Sequence, residues 1–165
     1  MRKLNFYDIN PVRPVTEDDF KALAKIVGRD LPNSYKEFYT RSNGGRAEEN
    51  TIYDDNGMIV FSVNDYYSLI QNIETFNNVD NVFVGIQMKA SLDPDLLDDP
   101  LFIPLGCDGT SNELYLDFNH KEPIVCVCLY DEPDEEAGTW YTRFQIAENL
   151  EEFVNSLEKD RGEDE

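Results

Sequence analysis

Histidine is nearly absent from this sequence, which has His120 alone among its 165 residues. General acid–base and nucleophilic catalysis at neutral pH use histidine more often than any other side chain. His120 lies in a predicted turn over residues 119–123, where the favoured interpretation is an exposed polar residue and a dyad with Cys107 is the alternative. Phosphate-loop, dinucleotide-binding and nucleophile-elbow motifs are also missing. The sequence therefore predicts a protein that is not an enzyme.

Cysteine is scarce, and its spacing does not match a metal site. Cys126 and Cys128 lie two residues apart in an apolar run, so we expect reduced, buried thiols on one face of a strand. The single residue between them is too short a spacer for a zinc knuckle. Asp93 and Asp95 begin like a calcium-binding loop, but Leu97 occupies its fifth position and the central glycine and closing glutamate are missing. We expect no metal and no cofactor.

Long apolar runs are missing too. The longest wholly apolar stretch covers residues 124–130, which is far too short to cross a bilayer. The basic residues Arg2 and Lys3 near the start are not followed by the apolar core of a signal peptide. These features predict a cytoplasmic protein with no membrane association.

Basic residues are heavily outnumbered, with 14 Lys and Arg against 34 Asp and Glu, and the formal net charge is -20. Phosphate backbones and anionic lipids need Lys and Arg to neutralise them, so this charge disfavours nucleic acid and membranes as partners. A basic protein is the partner that the charge favours. The alternative is that the acidity serves solubility alone.

Apolar residues, by contrast, are abundant enough to form a core, because 41% of the residues are hydrophobic and 12% are aromatic. The length and the lack of repeats or linkers predict a single domain over residues 1–165. Residues 160–165 are expected to be a frayed acidic tail.

Helices are predicted where a capping residue precedes apolar residues at helical spacing. Gly28 is expected to end the first helix, and the glycines at 44 and 45 the second. The four predicted helices begin at the capping residues Thr16, Asp30, Asn64 and Asn149.

Strands are predicted where short apolar runs alternate with turn signals. The Asn-Gly pair at 56–57 predicts a hairpin between residues 52–53 and 58–61. Three of the remaining runs, between residues 102 and 130, predict an antiparallel meander. The remaining predicted strands cover residues 4–9, 82–86, 102–105, 114–118, 124–130 and 139–144.

Three segments, in this order, resemble motifs of the SUKH superfamily, the Smi/Knr-type domains. Residues 31–45 resemble its "LP-x-x-Y-K-x-F-x-x-x-x-N-G-G" helix and turn. Residues 102–109, which lead into 113–117, are similar to its "IPFG-x-DG" strand, turn and following strand. Residues 146–154 resemble its closing helix. Two departures, residues 110–112 in place of a Gly-rich turn and Asn149 in place of Ser, keep the chemistry of a turn and of a cap.

The resemblance implies an α+β fold: a single domain with a bent antiparallel β-sheet flanked by helices. Many bacterial members are immunity proteins that bind and neutralise a toxin, often a nuclease or a deaminase, from a neighbouring cell. No catalytic residues come with the family. The motif positions Tyr35, Phe38 and Phe153 are therefore expected to belong to the core.

The charge and the resemblance lead to one hypothesis, an immunity protein whose acidic loops contact a cognate, basic toxin. The alternatives are simple solvation for the loops, a core position for the tryptophan, and a regulatory or scaffolding domain with a host partner. The sequence does not predict an oligomeric state. The candidate partner-binding residues are Asp93, Asp95, Asp98, Asp99, Asp131, Glu132, Asp134, Glu135, Glu136 and, as an aromatic anchor, Trp140.

Overall fold

The computed structural model describes residues 1–7, 13–71, 81–92, 101–110, 112–130, 132–139 and 141–162. Within these ranges, helices and antiparallel sheets form the predicted α+β fold. The helices are α1 Glu17–Val27, α2 Asn33–Arg41, α3 Val82–Leu92 and α4 Leu150–Ser156. The strands are β1 Glu49–Tyr53, β2 Ile59–Ser62, β3 Asp65–Tyr66, β4 Phe102–Cys107, β5 Glu113–Asp117, β6 Ile124–Leu129, β7 Thr142–Ala147 and β8 Glu158–Lys159.

The strands form two sheets. The larger has five strands in the order β3-β4-β5-β6-β7, and the smaller has three in the order β2-β1-β8. The predicted meander is confirmed, because β4, β5 and β6 each pair antiparallel with the next strand. The predicted hairpin is confirmed as β1 and β2, and its turn is closed by the N–H of Asp54, which donates to the carbonyl of Met58 at 2.8 Å.

The two sheets meet at a corner of two residues between β2 and β3. Val63 donates its N–H to the carbonyl of Asn50 beside the smaller sheet, and Asn64 donates its N–H to the carbonyl of Cys107 in the larger one, both at 2.8 Å. The chain thus changes sheets without a loop. The predicted bend is therefore a sharp corner between two sheets.

The turn after α2 packs against β3 and the segment that follows it. Asn43 is buried, accepts the N–H of Leu69 at 2.7 Å and donates its amide to the Leu69 carbonyl at 3.3 Å. Gly44 has a φ of +84°, and a β-carbon on it would lie 2.8 Å from the Ser68 nitrogen and 2.9 Å from the Tyr66 carbonyl oxygen. Only glycine tolerates both the positive φ and the close approach. The predicted glycine stop of α2 is therefore corrected: the helix ends at Arg41 with Ser42 as its C-terminal cap, and Asn43 and Gly44 form the turn that follows.

The hydrophobic core includes one face of the larger sheet and side chains of α1, α2 and α4. Tyr35, Phe38 and Phe153 are almost fully buried in it, as predicted. Tyr35 packs edge-on against Phe118, with ring centroids 5.9 Å apart. The sheet residues in this core alternate along the strands, as the two-residue period requires: Ile103, Leu105, Leu114, Leu116, Val125 and Val127.

The predicted helix that begins at Asn64 is wrong. Asp65 and Tyr66 form β3, which pairs with Cys107 and Gly106, and Tyr66 also bridges to Gly45. The apolar residues that follow are buried because the chain passes between the α2 turn and the sheet. Tertiary pairing outweighed the helical spacing of these residues. The later part of the predicted helix, residues 72–80, lies outside the described residues.

The predicted strand over residues 82–86 is also wrong, because these residues begin α3. Asn81 is buried, and its side-chain oxygen accepts the N–H groups of Phe83 at 2.8 Å and Val84 at 3.2 Å. This is an N-terminal cap of the kind that starts a helix. The β-branched and aromatic residues that follow the cap are typical of strands, which is why a strand was predicted here.

Three smaller corrections concern element ends. Asp30 does not cap α2, because Pro32 occupies the capping position and makes no side-chain hydrogen bond. The last strand of the larger sheet runs over Thr142–Ala147 and not over 139–144. Of the predicted strand at residues 4–9, the described part makes an isolated bridge between Phe6 and Ala47. The caps of α1 at Thr16 and of α4 at Asn149 are confirmed.

Candidate partner-binding surface

A row of paired residues marks one end of the larger sheet. Asp65 pairs with Cys107, Cys107 with Glu113, Glu113 with Cys128, and Cys128 with Arg143. The β4–β5 turn and the β6–β7 loop both project from this row, because alternate connections of a meander share an end. The acidic side chains here, called the acidic end below, are Asp65, Asp108, Glu113, Glu132, Asp134, Glu135 and Glu136.

The β6–β7 loop is an ordered turn. Asp134 and Thr139 exchange backbone hydrogen bonds of 3.0 and 3.1 Å, and the Asp134 carboxylate accepts the N–H groups of Glu136 and Ala137 at 3.0 Å each. Thr142 donates its hydroxyl to the Glu132 carbonyl at 2.8 Å. Asp134 therefore shapes the turn, which leaves Glu135 and Glu136 exposed at its tip.

The structure thus brings together four of the predicted partner-binding residues, and one of them has a structural role. Glu132, Glu135 and Glu136 are exposed, whereas Asp134 is half-buried. The remaining predicted residues lie outside the described part of the chain: Asp93, Asp95, Asp98, Asp99, Asp131 and Trp140.

The β4–β5 turn is built around the carboxylate of Asp108. It accepts the N–H groups of Thr110 at 2.8 Å and Asn112 at 3.0 Å, and also the Thr110 hydroxyl and the Asn112 amide. The side chains of Thr110 and Asn112 thus add hydrogen bonds that the residues of a Gly-rich turn could not make. Both carboxylate oxygens of Asp108 accept hydrogen bonds within the turn, although the charge of Asp108 remains at the surface.

Glu113 lies beneath the two loops and binds three tyrosines. Its carboxylate accepts the Tyr67 hydroxyl at 3.2 Å and lies within hydrogen-bond distance of the hydroxyls of Tyr130, at 3.0 Å, and Tyr115. The Tyr115 and Tyr130 hydroxyls also contact each other, so one of their two hydrogens is shared between two acceptors. Burial, followed by the charge of Glu113, raises the pKa of both Tyr115 and Tyr130, so these phenols stay protonated. Sequence reasoning missed this cluster, although the two-residue spacing of Glu113 and Tyr115 puts both on one face of β5.

Cys107 and His120, the candidate catalytic dyad of the sequence analysis, do not lie close to each other. Cys107 pairs with Glu113 at the first residue of β5, and His120 follows the last residue, Asp117, whose carboxylate oxygen lies 3.5 Å from the His120 Nε2. A strand of five residues spans about 13 Å from first to last, so the Cys107 and His120 side chains lie at opposite ends of the sheet.

Cys126 and Cys128 are buried free thiols, as predicted. Burial, together with the nearby Asp117 carboxylate, raises the pKa of Cys126 to about 11. A thiol with this pKa is almost wholly protonated at neutral pH, and the protonated form is a poor nucleophile and metal ligand.

The described residues contain neither a cluster of metal ligands nor a membrane-spanning helix. No group of three or more His, Cys, Asp or Glu side chains among them is placed to hold a metal ion. None of the helices in the ranges described has the length and apolar character needed to span a bilayer.

Several basic side chains of the chain are held in internal ion pairs. At the acidic end, Arg46 binds Asp65 at 2.9 Å. Glu132, Glu135 and Glu136 make no salt bridge with any residue in the described ranges, so this loop keeps its full negative charge. Ion pairs elsewhere among the described residues include Arg13–Asp19, Arg41–Glu37, Lys159–Glu48 and Arg161–Glu158.

Comparison with known proteins then identifies the family, since the profile of the SMI1 / KNR4 family (SUKH-1) matches residues 14–156. The chain belongs to the SMI1/KNR4 family. Comparison with curated proteins finds no match. The matched region of this SMI1/KNR4 domain includes both loops of the acidic end and all the segments that carried the resemblance.

The motif residues of this SMI1/KNR4 domain have structural explanations. Asn43 and Gly44 pack against the segment from Tyr66 to Leu69, and Asp108 closes the β4–β5 turn. Asn149 caps α4 by accepting the Glu152 N–H at 2.9 Å. Motif positions therefore define the fold, while the β6–β7 loop outside these motifs carries the exposed charge.

Proposed function

We propose that this SMI1/KNR4 domain is a cytoplasmic immunity protein that neutralises a basic bacterial toxin, of the nuclease or deaminase type, by direct protein–protein contact. The observation that carries the proposal is the acidic end, where an ordered loop presents Glu132, Glu135 and Glu136 without internal counter-ions among the described residues. Family membership supports a role in binding a protein partner.

The charge distribution supports a basic partner. The chain carries a net charge of -20, and the acidic end concentrates part of it on two loops anchored by side-chain hydrogen bonds. Complementary potentials accelerate encounter and select partners, whereas pre-ordered loops reduce the entropy lost on binding. A toxin that binds nucleic acid presents a basic cleft, which this surface complements.

Inhibition by contact requires no catalytic group in the immunity protein. The separation of Cys107 from His120 and the protonated thiol of Cys126 are consistent with this mode of action. The toxin is inhibited when the acidic end covers its basic cleft or a neighbouring site.

The direct test uses the C-terminal domain of the protein encoded next to this gene. Its affinity for the purified chain is measured by isothermal titration calorimetry at low and high salt. We expect tight binding that weakens as salt rises, because exposed charges are screened within about 8 Å at physiological ionic strength. Tight binding independent of salt moves the interface to apolar surface, and absence of binding contradicts the proposal and favours a regulatory partner.

A further inference from the structure

The outer edge of β2 combines two unusual features. Met58, Ile59 and Val60 are consecutive, and 66%, 55% and 37% of their surfaces are exposed. β2 is also the outermost strand of the smaller sheet, and no strand or bridge in the described residues pairs with its outer side. Exposed apolar edge strands invite pairing with another chain, and most proteins protect them with charge or proline.

Backbone groups on this edge are directed outward. Val63 donates to Asn50 and Asp54 donates to Met58, which fixes the hydrogen-bonded pairs at both ends of the β1–β2 ladder. Alternation along the ladder, on either side of the bulge at Ile52/Tyr53, then places Ile59 and Ser62 in pairs whose N–H and C=O groups point away from β1. An incoming strand therefore finds both apolar side chains and open backbone hydrogen-bonding groups.

The charge next to this edge indicates which kind of segment binds there. Asp54 and Asp55 are exposed in the turn that precedes Met58. Hydrogen bonds from the backbone, first from Met58, lower the pKa of Asp54, so it remains charged in mildly acidic solution. A second copy of the chain would bring the same aspartates and another net charge of -20 to the contact. A segment with lysine or arginine is attracted instead.

We propose that the outer edge of β2, from Met58 to Ser62, binds an extended, basic and apolar segment of the toxin as an added strand. The apolar side chains of the segment pack on Met58, Ile59 and Val60, and its basic residues contact Asp54 and Asp55. This inference rests on the proposed function, because the segment belongs to the same toxin. It adds main-chain hydrogen bonds, which salt screens weakly, to the contact of the acidic end.

The decisive variant is Ile59→Pro. The Ile59 N–H points away from β1, so proline removes an outward donor and leaves the β1–β2 ladder hydrogen bonds in place. The probe is the C-terminal domain of the protein encoded next to this gene, called the neighbouring toxin domain below. Its binding is expected to weaken by about tenfold or more. Ile26→Thr is the matched control, because Ile26 on α1 is 39% exposed, and this variant is expected to bind like the wild type. Circular dichroism and thermal melting check the fold of each variant.

Hydrogen exchange on the wild-type chain provides a second readout if Ile59→Pro does not fold. The amides of Ile59 and Ser62 are expected to gain protection when the toxin domain binds. Unchanged affinity of folded Ile59→Pro, or unchanged exchange at both amides, overturns the inference while the proposed function stands. Failure of the wild-type chain to bind the toxin domain overturns both. A wild-type dimer that Ile59→Pro converts to a monomer assigns the edge to a second copy and also overturns the inference.

Discussion

The side-chain oxygen of Asn112 accepts the backbone N–H of Tyr130 at 3.0 Å, while the Asn112 amide donates to Asp108 at 2.9 Å. One side chain thus connects the β4–β5 turn to the start of the β6–β7 loop. Because the exposed glutamates lie on that loop, Asn112 determines how the charge of the acidic end is presented.

Replacing Asn112 with alanine is expected to loosen the acidic end. Asn112→Ala removes both hydrogen bonds, which lowers the free energy of unfolding by about 1 to 3 kcal/mol. Urea denaturation measures this loss, and hydrogen exchange over residues 132–139 measures the loosening. Stability and exchange equal to those of the wild type contradict the assigned role of Asn112.

Asp19 is a buried carboxylate whose charge stabilises the fold. It accepts two hydrogen bonds from Arg13 at 2.7 and 2.8 Å, and others from Thr16 and from the Gln71 N–H. Burial alone raises the pKa of Asp19, but these hydrogen bonds outweigh it and hold the pKa well below its usual value. Asp19→Asn is expected to cost about 1 to 3 kcal/mol, because the buried amide turns an NH₂ group towards donors that the carboxylate accepted.

This contribution depends on pH. The pKa of Asp19 is lower in the folded than in the unfolded chain, so its stabilisation is complete above the unfolded value of about 3.9 and is lost as pH falls towards the folded value. The difference in unfolding free energy between wild type and Asp19→Asn should therefore shrink as pH falls from about 5 towards 3. A difference that stays constant over this range contradicts the account.

Alanine substitutions at Gly44 and Gly28 distinguish the stability cost of a steric clash from the cost of a positive φ. Both have a positive φ, of +84° and +72°, but a β-carbon on Gly28 has nothing within 4 Å. Gly28→Ala is expected to cost about 1 kcal/mol from conformation alone. Gly44→Ala, which also drives a methyl group into the backbone of Ser68 and Tyr66, should cost clearly more. Equal losses of thermal stability would mean that the backbone of Tyr66 and Ser68 moves freely to admit the methyl group.

Glu113→Gln tests the tyrosine cluster under the acidic end. The amide keeps one acceptor but turns an NH₂ group towards hydroxyl donors, so about 2 kcal/mol of stability should be lost. The pKa values of Tyr115 and Tyr130 should fall because the charge of Glu113 contributes to raising them. Urea denaturation at neutral pH measures the loss of stability, and a Glu113→Gln variant as stable as the wild type contradicts the cluster.

Local signals in the sequence predicted much of the fold. Thr16 caps α1 through contacts within three residues, and the turns around Asp54 and Asp108 close through their own side chains. At β3 the prediction failed because the partners are distant in sequence: Tyr66 pairs with Gly106 and bridges to Gly45. At α3 it failed for a local reason, because the residues after Asn81 favour a strand and only the Asn81 cap indicates a helix.

The candidate site was predictable only in part. Composition indicated acidic loops, and Glu132, Glu135 and Glu136 are exposed as a binding role requires. Composition could not indicate that Asp134 folds the loop, since that role depends on the N–H groups of Glu136 and Ala137. The exposed edge of β2 was likewise hidden, because its apolar residues resemble those of any buried strand.

The central claim is that the acidic end binds the toxin, and charge reversal tests it most directly. The triple variant Glu132→Lys, Glu135→Lys, Glu136→Lys leaves the turn-forming Asp134 in place. Its control reverses three exposed acids near the opposite end of the sheet: Asp30→Lys, Glu122→Lys and Glu148→Lys. Both variants change the net charge equally.

The affinity of each variant for the neighbouring toxin domain is measured by calorimetry at one ionic strength. We expect the acidic-end variant to bind at least about 100-fold more weakly than the control, because like charges then face each other across the interface. Equal weakening of both variants would show that only net charge matters and would contradict the claim that the acidic end is the binding site.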